Sequence, residues 1–362
     1  MILHRYYARR YVVAFLGTLG AFFTMLAMLD LVEQARRHGG TASAGDLVAL
    51  SLLNVPADLY EILPLIVIIS GIALFLGLAR SSELVVTRAA GRSALSALTA
   101  PVLMTVVIGV MTVALFNPLV AATSRAYEAR TDILRGENRV ITLSDDGLWL
   151  RQGDDGAQTV IRAVSSNLDG TVLREASFLS YDASGRPRER IEANLAQLQS
   201  GHWLLRGVKR WPLSADNPET QAEQLPQMTL TSSLTATQIR DSFGDPAAIS
   251  VWKLPGFIKR LETAGFSARR HQVFLQTELA QPAFLTAMLL IGAGFTMRHQ
   301  RGGRVGVMVL GAILLSFGVY FLRNFAQILG ENGQIPPVLA AWIPPVAAIL
   351  SSLGLLLHLE DG

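Results

Sequence analysis

Apolar and polar positions along this chain fall into long blocks. Six apolar stretches, roughly Val12–Val32, Ile62–Ala79, Leu95–Leu119, Val273–Met297, Val305–Leu329 and Val338–Leu357, stand three on each side of a polar insert of about 150 residues. Most approach or exceed the roughly 20 apolar residues that cross a bilayer as a helix. Lipid offers no partner to backbone N–H and C=O groups, so helix is the state these stretches must take. The pattern predicts an α-helical membrane protein with six transmembrane helices, arranged 3+3. The first stretch has a basic lead-in, but it is too long for a signal-peptide core and lacks a small-residue exit, so it reads as a retained span.

Inside the insert the period shortens to two. Arg139–Leu143, Gly147–Gln152, Gln158–Ala163, Leu173–Tyr181, Arg188–Leu198, His202–Arg210 and Gln227–Thr231 are rich in alternating or β-branched residues. Turn-forming clusters such as Asp145-Asp146-Gly147, Asp154-Asp155-Gly156 and Leu168-Asp169-Gly170 separate them. Short strands at such intervals predict an inserted all-β domain, jelly-roll-like, a sandwich or an open barrel. From Pro246 to Gln281 the period turns helical again, with Phe257, Ile258, Leu261 and Phe266 on one face, as in a stalk returning to the fourth span. The expected division is 1–122 for spans one to three, with a surface helix at 81–91, 123–250 for the β domain, 251–272 for a helical connector and 273–362 for spans four to six.

Charge sets the orientation. Arg5, Arg9 and Arg10 precede the first span, Arg80, Arg88 and Arg92 lie between the second and third, and Arg298, Arg301 and Arg304 between the fourth and fifth. The opposite loops hold only Arg36 and Arg37 in one case and no Lys or Arg in 330–337. Basic residues near span ends stay in the cytoplasm. Both termini are therefore expected there, and the β domain on the far side, the periplasm of a cell with two membranes.

Composition narrows the chemistry. Charged residues are 16% of the chain against 51% hydrophobic, well below the quarter usual for soluble domains. A net charge of +3 without a recognition motif speaks against nucleic acid as a partner. Cysteine is absent, which removes disulfides, thiolate metal sites and cysteine nucleophiles. No phosphate-cradling G-x-x-x-x-G-K-[ST], no H-E-x-x-H and no G-x-S-x-G occurs, so no catalytic residue, metal site or nucleotide site is expected in this chain.

Polar residues at span ends are the remaining candidates. In the second cytoplasmic loop, Ser81 or Ser82 can cap a short helix whose N-terminal end suits Glu83 and whose C-terminal end suits Arg88. Such a helix lies at the membrane surface with Leu84, Val85 and Val86 open to a partner, or settles into headgroups as a plain connector. At the outer end of the first span stand Asp30, Glu33, Arg36 and Arg37. Asp30 lies about 18 residues into its stretch, roughly 27 Å at 1.5 Å per residue. Arg323 is equally deep in the fifth. Asp30 and Arg323 either anchor their helices at the interface or line a cavity, pairing or meeting an anionic headgroup. Arg36 and Arg37 then offer bidentate phosphate contacts at its mouth. Trp149, Phe178 and Trp203 are core residues of the β domain or walls of an apolar groove. No span shows a charged relay at its midplane, which disfavours a secondary transporter.

The runs Asn54-Val55-Pro56-Ala57-Asp58-Leu59-Tyr60-Glu61-Ile62-Leu63-Pro64 and Ser82-Glu83-Leu84-Val85-Val86-Thr87-Arg88-Ala89-Ala90-Gly91 resemble those of the LptF/LptG permeases of lipopolysaccharide export, the second being closer to LptG. The 3+3 layout with a large periplasmic β insert is similar as well. The resemblance implies an inner-membrane permease subunit of an ABC-type exporter, paired with an LptF-like permease on an LptB-like ATPase dimer. An LptC-like bitopic protein and a periplasmic LptA-like bridge complete the implied set. Lipopolysaccharide leaves the outer leaflet of the inner membrane through the permease pair and passes to the bridge. It further implies that Ser82–Gly91 is the helix coupling to the ATPase, with Glu83 as its main polar contact, and that spans one and five line the substrate cavity, giving Arg36, Arg37 and Arg323 roles there. Some relatives carry a basic residue where Asp30 stands and an acidic one near Arg323, so the two charges are swapped here. ATP and Mg belong to the partner ATPase, and no cofactor is expected in this chain. The competing reading is a non-transporting membrane scaffold or sensor whose β domain binds a lipid ligand.

Overall fold

The computed structural model describes residues 2–38, 43–89, 93–135, 141–144, 147–154, 157–167, 170–182, 184–214, 217–232, 234–235, 239, 245–263, 265–297 and 305–361. It divides into two units, one of Met1–Leu134, Ala247–Trp252 and Arg269–Gly362, the other of Arg135–Pro246 and Lys253–Ala268.

In the first unit the apolar stretches are helices. They are α1 (Ile2–His38), α2 (Ala44–Glu61), α3 (Leu63–Arg80), α4 (Glu83–Ala89), α5 (Ala94–Met111), a π-helical turn (Thr112–Phe116), α6 (Asn117–Arg135), α8 (Arg269–Leu279), α9 (Gln281–Thr296), α10 (Val305–Glu331) and α11 (Pro337–Asp361). Local chemistry sets their ends. Ser43 and Asp46 form a reciprocal capping box at the start of α2, and the Ser93 hydroxyl accepts from Ser96 N–H at the start of α5.

Among the described residues, five helices are long and apolar enough to cross a membrane, or six if one bent pair is a single span. That pair is α8 and α9, which meet at 50°. The fourth apolar stretch is thus broken beside Pro282, where a proline bend is expected. Pro282 has no N–H for the carbonyl of Glu278, and its ring crowds that carbonyl, so the ladder cannot pass. The core of this unit is α3 against α9, with Ile66, Val67, Ile68, Leu285, Leu289 and Ile291 excluded from solvent.

The second unit holds seven strands: β1 (Ile141–Ser144), β2 (Gly147–Asp154), β3 (Ala157–Ser166), β4 (Val172–Tyr181), β5 (Pro187–Gln199), β6 (His202–Pro212) and β7 (Glu223–Thr231). Each pairs antiparallel with the next, in the order β1 to β7. The described strands are therefore one meander, without the strand crossovers that define a Greek-key jelly roll; short connections let each strand fold back on its predecessor. Residues 139, 140, 145, 146, 155, 156, 168 and 169 of the expected strand ends and turns lie outside the described residues.

A line of unpaired positions crosses the sheet. Val164, Glu175, Asn194, Gly207 and Pro226 all fall where the register skips a pair. Glu175 and Gly207 there have φ of 51° and 63°. On β4, β5 and β6 the inward alternation slips by one at this line, so Phe178, Ile191 and Val208 on one side and Leu173, Ala196 and Trp203 on the other are all buried. Helix α7 (Leu254–Thr263) belongs to this unit and buries Leu254, Ile258 and Leu261.

Trp203 is fully buried, edge-on to Phe178 with ring centroids 6.1 Å apart. Its indole N–H has no partner among the described residues. Trp203→Ala is expected to destabilise this unit by roughly 3–5 kcal/mol. Trp203→Phe, which removes an unsatisfied donor and keeps most of the volume, should cost far less. Hydrogen-exchange protection of β4 to β6 in the full-length protein measures both.

Candidate functional site

Polar groups gather at three places in the helical unit. The first is α4. The Glu83 carboxylate accepts from Arg10 Nη1 at 2.7 Å, from Ser81 Oγ at 2.7 Å and from Tyr6 at 3.4 Å. Thr87, one turn on, is buried and shares a 2.8 Å hydrogen bond with Tyr7. The short helix is thus held to the start of α1 along one side, while Val86 is 66% exposed on the other. Partial burial pushes the Glu83 carboxyl up, but the Ser81 hydroxyl and the Arg10 guanidinium outweigh it and leave it below the usual carboxylate range. A depressed carboxylate keeps its charge through neutral pH and loses this attachment only as pH falls through its lowered pKa. The side chains of Leu84, Val85 and Arg88, and residues 90 and 91, lie outside the described ones.

The second place is the C-terminal end of α1. Asp30 accepts from Asn54 Nδ2 at 2.9 Å and Gln34 Nε2 at 3.4 Å, and Gln34 also reaches Tyr127 at 3.0 Å. The other Asp30 oxygen is buried with no partner among the described residues. Arg36 grips Glu33 through two donors at 2.8 and 2.9 Å, and Arg37 adds Nε at 2.5 Å. Both guanidinium groups remain largely exposed, with donors left over. Asp30 makes no ion pair with Arg323; each has its own neighbours.

Three prolines build the third place. Pro64, Pro118 and Pro282 cannot donate to the carbonyls of Tyr60, Ala114 and Glu278, four residues back. The chain breaks or widens at each: between α2 and α3, at the π turn, and between α8 and α9. The side chains beside these irregularities meet. Glu278, 3% exposed, accepts from the Tyr60 hydroxyl and from Asn117 Nδ2 at 3.1 Å. Asn117 Oδ1 in turn accepts the Val251 N–H at 2.9 Å, and the freed Ala114 carbonyl accepts the Trp252 indole N–H at 3.1 Å. Arg323 of α10 is half-buried, its guanidinium 4.4 Å from the centroid of the Phe284 ring. It interacts electrostatically with Glu278 without coming within ion-pair distance.

A buried acid, Glu278, lies inside the fourth apolar stretch. Sequence reasoning passed over Glu278, Tyr60 and Asn117. The available signal was an acid four residues before a proline inside an apolar run. No group of three or more His, Asp or Glu able to hold a metal occurs among the described residues.

Comparison with known proteins gives one consistent result. The family described as lipopolysaccharide export system permease LptF/LptG matches residues 5–358. The chain is 26% identical over 365 residues to the lipopolysaccharide export system permease protein LptG of Escherichia coli K12, covering 99% of this chain and 98% of that protein. It is 25% identical over 375 residues to the protein of the same name from Haemophilus influenzae, covering 99% of each.

Proposed function

The chain belongs to the lipopolysaccharide export permease family LptF/LptG, and from this premise we propose how its geometry serves export. It is a multi-pass inner-membrane protein, a permease subunit of the lipopolysaccharide exporter and not an enzyme; ATP hydrolysis lies in a separate subunit. In our reading the membrane is crossed six times, with α8 and α9 as one bent span. Residues 1–122 and 273–362 form the spanning part, 251–272 the connector. Both termini are cytoplasmic, and 123–250, the seven-stranded sheet, takes the place of the jelly-roll-like periplasmic domain. The partners are an LptF-like permease, an LptB-like ATPase dimer carrying ATP and Mg, an LptC-like bitopic protein and an LptA-like bridge.

The observation that carries this reading is the exposure of α1 and α10. Leu310, Leu314, Phe317, Phe321 and Phe325 form an apolar row along one face of α10, with Phe321 72% exposed. Val13, Leu16, Met28 and Leu29 of α1 are exposed as well. Such surface is stable only against lipid or another apolar helix. Together α1 and α10 supply half of a chamber whose other half is the second permease. Asp30, Arg36, Arg37 and Arg323 stand at the polar ends of these helices, where a phosphorylated headgroup would rest while its acyl chains lie along the phenylalanines. ATP binding closes the ATPase dimer, moves α4 as a lever and narrows the chamber. The lipid then passes to the bridge.

Photocrosslinkers placed at Arg37, Arg323 and Trp149 of the assembled exporter in nanodiscs test this. Lipopolysaccharide adducts are expected at the first two positions and should fall when ATP is supplied. Failure to capture lipopolysaccharide at either position would overturn the reading.

A further inference from the structure

Glu278 and Arg323 divide their bonding unequally. The acid is held by two donors: one of its oxygens takes both the Tyr60 hydroxyl and the Asn117 amide, and those donors are fixed where helices break. The cation is not. Arg323 makes no hydrogen bond and no ion pair among the described residues, so all five of its donors remain unused. A guanidinium left this way inside a helix bundle is costly unless a negative charge lies near. Glu278 is the one carboxylate that interacts with it electrostatically among the described residues. The guanidinium also lies over the Phe284 ring face.

We infer that Glu278 is a positioning residue for Arg323, offsetting the cation's burial from beyond hydrogen-bond range so that every guanidinium donor stays free for an anionic group of the lipid. The inference rests on the proposed role of Arg323 and deepens it. A carboxylate within bonding distance would occupy two donors in a bidentate pair and compete with phosphate. Tyr60 and Asn117 keep the acid from swinging over. The ligand class that fits is a phosphate or carboxylate carried on a lipid headgroup, which can take the planar fork of donors.

The test compares Glu278→Gln, Arg323→Gln and the double variant in the complete exporter in nanodiscs, with lipopolysaccharide as substrate. Glutamine at 278 still accepts from Tyr60 and Asn117 but lacks the charge. Glu278→Gln is expected to raise the apparent KM for lipopolysaccharide roughly tenfold, as loss of one charge-assisted contact does, with kcat unchanged. The double variant should match Arg323→Gln alone. Additive losses, or a fall in kcat without a change in KM, would mean that Glu278 serves the fold and would overturn the inference while leaving the role of Arg323 intact. A silent Arg323→Gln would remove both. Should Glu278→Gln fail to assemble, Tyr60→Phe decides. It loosens the carboxylate without removing it, and its smaller KM increase must vanish in the Arg323→Gln background; if it persists, the inference fails.

Discussion

Glu83→Arg is expected to detach the ATPase and abolish ATP-driven lipid export while the helical unit stays folded. Glu83 sits at the start of a seven-residue helix whose opposite side exposes Val86. Removing one partner of a hydrogen-bonded charge pair at an interface costs roughly 2–5 kcal/mol, and reversal adds repulsion. An internal explanation competes, because Arg10 already binds this carboxylate at 2.7 Å. Combining Arg10→Glu with Glu83→Arg separates the two. The swap rebuilds the internal pair with its polarity reversed, so it restores export if Glu83 acts only by tethering α4 to α1. If the carboxylate faces the ATPase, export stays lost. Co-purification of the ATPase and export in proteoliposomes are the measurements, and recovery in the swapped protein would sink the coupling role.

Gly109→Val carries the largest structural penalty. A Cβ at Gly109 would lie 2.6 Å from Pro282 Cα and 2.9 Å from its Cβ. These are backbone and ring atoms that cannot rotate away, so α5 and α9 must separate. Overpacking of a tight core usually costs about 1–3 kcal/mol, and a rigid neighbour places this site at or above the upper end. Because Pro282 also makes the bend that presents Glu278, the displacement should spread to Tyr60 and Asn117. Lower thermal stability in detergent together with reduced export is expected. Gly318→Val, on an open face of α10 with nothing near its added carbon, should leave stability unchanged and serves as the control.

The two permease-like runs show where reading the sequence stops. Asn54 to Pro64 marks a family resemblance, but nothing local says that Asn54 holds Asp30 across 24 residues or that Tyr60 bonds Glu278 across 218. Arg36 and Arg37 were legible as exposed cations, and their shared grip on Glu33 follows from helical spacing of three and four. Arg323 was legible as a deep charge, yet its neighbour is Glu278 and not Asp30. The seven strands stand close to where period-two alternation places them, although the transverse line from Val164 to Pro226 has no local signature. It exists only when five strands are laid side by side.

Periodicity, span length and the arginine distribution act through solvent, one segment at a time, so the amino-acid order alone determined the helices, the strands and the expected sidedness. Which proline-made breaks meet, and hence where the buried acid finds its donors and why Arg323 keeps its own unspent, depends on helices far apart in the chain packing together. Only the tertiary structure decided that, because those contacts arise from shape and burial, which no local pattern encodes.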